Sequence, residues 1–169
     1  MKRAFKVLLA VLSVAAIFTL AACGHKHTKE GLSTDLKSSY TGITKGIGYT
    51  SSVFNDDSGK DTLKFDTKKH TITNSSGESI YFKVITEKDF SKVENFTNIQ
   101  KVFNKHKSEL KGKDYFLIKT DTFKKDLRND ADAAEVYCIV LTNGGEKMHM
   151  FQLEADTQDE WFDFNGTAN

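Results

Sequence analysis

Six consecutive residues, Val136-Tyr137-Cys138-Ile139-Val140-Leu141, are apolar or aromatic. β-Branched and aromatic residues dominate the run, and it is too short for an ordinary helix. A strand with one face in water would alternate apolar and polar side chains, so this one needs cover on both faces. Asn143-Gly144-Gly145 follows, and then a second apolar run, Met148 to Leu153. Asn and Gly accept the positive φ angles of tight turns, so the two runs read as a hairpin. Any fold for this chain must place a layer on each side of that hairpin.

The rest of the sequence supplies those layers. Short β-like runs alternate with turn clusters: Ile47 to Phe54, Thr62 to Asp66, Thr71 to Thr73, Ser79 to Ile85, Tyr115 to Ile118 and Trp161 to Phe164. Asn55 to Lys60 and Asn74-Ser75-Ser76-Gly77 are turn signals, and Thr122 to Asn129 reads as a helical turn. The period changes once. Phe96, Ile99, Val102, Phe103 and Leu110 recur mainly at three and four residues, the stripe of an amphipathic helix over about 97–111. Thr97 and Gln100 have capping-box spacing, and Gly112 follows the last apolar position. Lys101, Lys105, Lys107 and Lys111 are read as the other face, either solvated or in contact with membrane or an anionic polymer. The expected fold class is mainly β: an antiparallel meander forming a small barrel or sandwich, with one amphipathic helix. The helix would cover one face of the 136–141 strand and the barrel interior the other.

The first residues carry a different signal. Lys2, Arg3 and Lys6 precede an apolar stretch from Val7 to Leu20. That stretch falls short of the ~20 residues a spanning helix needs. Leu20-Ala21-Ala22-Cys23 stands at its edge and resembles the lipobox of bacterial lipoproteins. The resemblance implies cleavage before Cys23, a diacylglyceryl thioether on its sulfur and, in many bacteria, an acyl chain on its amine. Two or more acyl chains hold a protein stably to a bilayer. Residues 1–22 are then a signal peptide, 23–36 a lipidated flexible tether reaching roughly 20 Å, and 37–169 a single β-rich domain. The expected location is the extracytoplasmic face of the cell membrane. Lys26 and Lys29 in the tether would add weak attraction to anionic lipid. Cys138 is the other cysteine of the two, so no intramolecular disulfide is available to the lipidated chain. It reads as a buried small hydrophobe.

Short antiparallel strands with a late helix resemble the small lipocalin-like barrels of Gram-positive surface lipoproteins. The Gly-x-Trp of the first lipocalin strand has only Ser39-Tyr40-Thr41-Gly42 near it.

Composition excludes some functions. With 24 Lys and Arg against 23 Asp and Glu, the chain lacks the charge excess that nucleic acid demands. There is no Gly-x-Ser-x-Gly, His-Glu-x-x-His or Gly-rich phosphate loop, and we expect no enzyme and no cofactor. Two places offer metal donors, His25 near the new amino terminus and His149 between Met148 and Met150 with Cys138 on the partner strand. Alternation turns the two Met side chains away from His149, and we expect no metal site. Asp56 to Asp61, Asp126 to Glu135 and Glu154 to Asp163 lack calcium-loop spacing and read as turns or solvated surface.

Two functions remain. One is a monomeric, non-enzymatic domain that binds a small or apolar ligand in or beside a barrel. The other is a cell-envelope interaction or stress protein that works through its surface, without a ligand cavity. The barrel interior discriminates between them, because ligand sites usually occupy ~300–1,000 Å³.

Overall fold

The structure is a computed structural model describing residues 27–47, 53–54, 59–93, 96–128, 135–153 and 161–169. Residues 1–26, which hold the expected signal peptide, Cys23, His25 and Lys26, and residues 55–58, 129–134 and 154–160 lie outside the described residues.

Eight strands form one closed antiparallel barrel in chain order. They are β1 (Ser39–Ile47), β2 (Gly59–Asp66), β3 (Thr71–Thr73), β4 (Ser79–Ile85), β5 (Asp114–Asp121), β6 (Glu135–Thr142), β7 (Lys147–Gln152) and β8 (Trp161–Ala168). Each pairs with its chain neighbour, and β8 returns to β1 with Ile43 opposite Asn165. Closure leaves no unpaired sheet edge and decides for the barrel over the sandwich. The seam is tight. Gly42 faces Gly166, and a Cβ on Gly42 would sit 2.0 Å from the Asn165 carbonyl oxygen.

β6 shows why a strand can be apolar at successive positions. Tyr137, Ile139 and Leu141 point into the barrel, whereas Val136, Cys138 and Val140 point outward into a second core. The cover over that second core is α1 (Phe96–Leu110), which buries Ile99, Val102, Phe103 and Leu110. Phe96 begins the helix but is exposed, and Thr97 lies inside the helix rather than capping it. Reciprocal capping occurs one element earlier, in a 3-10 turn over Glu87–Lys92. There the Asp89 carboxylate accepts hydrogen bonds from the backbone N–H and the hydroxyl of Thr86, at 2.9 and 2.8 Å. A second 3-10 turn, Asp126–Arg128, occupies the stretch read as a helical turn.

The barrel interior is occupied by side chains. Phe54 is fully buried, with its ring 5.2 Å from Tyr137 and 5.0 Å from Phe162. Tyr40, Phe65 and Phe82 continue the aromatic packing, and Met148 and Met150 fill between them. The expected strand over Ile47–Phe54 is corrected here. β1 ends at Ile47, residues 48–52 lie outside the described residues, and Val53 and Phe54 are core residues outside any strand. The strand actually used, Ser39–Ile47, is rich in Thr and Gly and buries chiefly Tyr40 and Thr44, so its pattern is faint.

Alternation of strand direction defines two barrel ends. The start of β1, the turn at 67–70, the end of β4, the start of β5, the turn at 143–146 and the end of β8 share the proximal end. The end of β1, the start of β2, the turn at 74–78, the end of β5 with residues 122–128, the start of β6, the end of β7 and the start of β8 share the distal end.

The expected flexible tether is corrected over 27–36, where the chain folds onto the proximal end, while residues 23–26 lie outside the described residues. Leu32 and Ser33 are buried, Leu36 packs on the interior core, and His27 pairs with Ser33 in an isolated β-bridge. The Asp35 carbonyl passes directly over Gly145, where a Cβ would stand 1.8 Å from its oxygen. Lys37 N–H donates to the Tyr40 hydroxyl, which donates to the Gly145 carbonyl, both at 2.9 Å. Burial of two leucines and these bonds outweigh the entropy a free tether would have kept.

Candidate functional site

A groove of about 400 Å³ opens on the outer wall, between the C-terminal half of α1 and strands β6 to β8. Leu110, Val140 and Phe151 supply its apolar lining, and His106, Glu109, Lys147 and His149 its polar one. Strand register builds the polar wall. His149 and Phe151 are two residues apart on β7 and share the outward face. On β8, Asn165 lies opposite His149 and Asp163 opposite Phe151. The diagonal then brings the His149 imidazole Nε2 to 2.5 Å from Asp163 Oδ2. Asp163 Oδ1 accepts the Asn165 side-chain N–H at 2.6 Å.

A carboxylate can only accept, so His149 Nε2 is the donor and Nδ1 is left for another partner. α1 brings the second imidazole. His106 stands 4.7 Å from the Phe151 ring and His149 5.0 Å from it, so the phenyl ring is flanked by both. Glu109 lies 3.6 Å from His106 at i,i+3 on the helix. The groove thus combines an apolar floor with imidazole, carboxylate and ammonium groups at its rim. Such a surface suits a small molecule with an apolar body and a polar edge. Among the described residues, no hydroxyl or thiol side chain is hydrogen-bonded to either imidazole, and no nucleophile is poised there.

The interior of the barrel and this groove divide the residues singled out by sequence. Met148 and Met150 are buried in the barrel, whereas His149 is on the groove. Cys138 lies in the outer core opposite Phe151, and burial pushes its thiol well above the usual range. The soft donors therefore do not converge. Among the described residues, no group of three or more His, Cys, Asp or Glu side chains is placed to hold a metal ion.

The four lysines do not form one face. At 3.6 residues per turn, Lys101 and Lys105 fall on one side of α1 and Lys107 on another. Lys111 follows the helix end. Lys107 is committed to Glu87 at 2.9 Å and lies 5.6 Å over the Phe103 ring. That carboxylate raises the Lys107 pKa.

A second polar cluster sits at the proximal end. The buried Asp114 carboxylate accepts from the Ser33 hydroxyl at 2.5 Å and from His27 Nε2 at 2.8 Å. Ser, His and Asp are all present, but serine and histidine both bind the aspartate. Nucleophilic catalysis requires histidine between the other two. This arrangement is a clamp that fastens the 27–38 segment. Sequence reading named His149 but missed His106, Phe151, Asp163 and Asn165. Only the β7–β8 register and the seating of α1 bring them together, and no local pattern encodes either.

No family model, curated protein or solved structure matches the chain. Among the described residues, no helix is long and apolar enough to cross a membrane.

Proposed function

We propose that this chain is a lipoprotein held by acyl chains on Cys23 at the extracytoplasmic face of the cell membrane. Its domain is non-enzymatic and binds a small, partly apolar ligand beside the barrel rather than inside it. One observation carries the ligand reading: aromatic side chains occupy the barrel axis, while about 400 Å³ of lined space lies on the outer wall at Phe151 and the two imidazoles. The anchor rests on the ordered signal features and on Leu20-Ala21-Ala22-Cys23.

A second reading, a cell-envelope interaction or stress protein acting through its surface, is favoured by the same filled interior. The two separate on retained mass. Native mass spectrometry of the protein purified from its own membrane reads acylation of Cys23 and any bound small molecule together. The ligand reading expects an adduct that is retained by the native protein and lost from both His149→Ala and His106→Ala variants. Native protein without any adduct, bound instead to another envelope component, favours the second reading. Precursor recovered soluble, or a mature terminus elsewhere than Cys23, overturns the anchor.

A further inference from the structure

We infer that the proximal end of the barrel is a membrane-facing surface, with Lys29, Lys68, Lys111 and Lys113 set against anionic lipid headgroups. This rests on the proposed acylation of Cys23. Only four peptide steps separate Cys23 from His27, and His27 is fastened to the buried Asp114. Fully extended, that distance is at most about 14 Å. An anchored domain therefore has little freedom to turn, and the end bearing the clamp is the end nearest the bilayer.

The charges at that end fit the assignment. Glu30 pairs with His70 at 3.7 Å, which also draws the 67–70 turn beside the anchor segment. Asp66 pairs with Lys69, Glu87 with Lys107 and Glu146 with Lys37. Asp114 is buried in its clamp, and Asp35 is half-buried. Lys29, Lys68, Lys111 and Lys113 are all exposed, and no ion pair with a described acidic residue engages their ammonium groups. Lys29 is two residues beyond His27, and Lys113 shares a surface groove with His27 and Gly31. Asp66, Glu87 and Glu146 are balanced by lysines, and Glu30 and Glu109 stand beside imidazoles, while these four lysines are left over. A surface of that kind is attracted to phosphatidylglycerol-like headgroups within a Debye length of about 8 Å.

The distal end provides the control, because Lys45, Lys60, Lys124 and Lys125 are exposed there. The test reconstitutes the acylated full mature chain into vesicles of phosphatidylcholine alone or with phosphatidylglycerol. A water-soluble amine-reactive reagent then labels lysines, read peptide by peptide. On the anionic vesicles, the four proximal lysines should react at least about threefold more slowly than the distal four, because the surface potential holds their ammonium groups protonated and screened. On neutral vesicles the difference should shrink. His27→Ala releases the start of the segment from Asp114 at the head of β5, and should shrink it too. Equal reactivity at the two ends on anionic vesicles overturns this inference and leaves the anchor standing. Absence of acyl mass on the Cys23 peptide overturns both.

Discussion

The two hydrophobic cores of this barrel wall are built from the same strands but finished differently. The interior core is ringed by eight strands and filled by Phe54, Tyr137, Phe162 and their neighbours. The outer core is covered by α1 and the 3-10 turn before it, and α1 stops at Leu110. Beyond that point the β7–β8 wall faces outward with His149, Asp163 and Asn165. A closed layer can be filled almost wholly by apolar side chains, whereas a partly covered one must furnish its margin with groups that tolerate water. The site candidate lies at that margin, where an apolar floor meets a polar rim that carries two imidazoles.

Breaking the interior should cost most. Phe54→Ala removes a ring fully buried between two others and should lose about 3–5 kcal/mol, measured by denaturant unfolding. Phe103→Ala strikes the outer core, where the ring meets Phe90 at 5.5 Å. With solvent on one side of α1 the helix can settle, so the loss should sit near about 3 kcal/mol, with the near-ultraviolet signal of the interior aromatics retained. Gly145→Ala tests the cover at the proximal end. Its φ of +84° and the overlying Asp35 carbonyl oppose any side chain, and a loss of about 1–3 kcal/mol is expected.

The smallest effects sharpen the contrast without breaking either core. Asp89 is held down to about 2 by the backbone and hydroxyl hydrogen bonds of Thr86, from an ordinary 3.8. A depressed carboxylate stabilises the fold fully above its unfolded value and loses that contribution as pH falls through the folded one. Urea unfolding between pH 5 and pH 2 should therefore show a decline that Asp89→Asn reduces by about 1 kcal/mol, solvent screening included. Cys138, buried in the outer core with its thiol pushed up, should resist a thiol reagent in the native protein and react on unfolding.

Much of the fold was legible because it is local. Strand β4 was read at Ser79 to Ile85, as found, since alternation and a flanking Asn74 to Gly77 turn depend on near neighbours alone. The both-face burial of β6 followed from six apolar residues in a row. β1 was misplaced because its Gly and Thr are chosen for the seam with β8, a partner more than a hundred residues away. His27 was assigned to a tether because its attraction to Asp114, 87 residues on, leaves no trace in the neighbouring sequence.

By itself the sequence determined the period of most elements, the turns between them and the need for a layer on each side of β6. These follow from backbone sterics and from solvation of residues close along the chain. Tertiary structure alone decided that the barrel closes, that its axis is filled, and that His149 meets Asp163 beside His106. Such pairings depend on register and on how side-chain volumes fit around a closed ring, and those are properties of the whole assembly rather than of any segment.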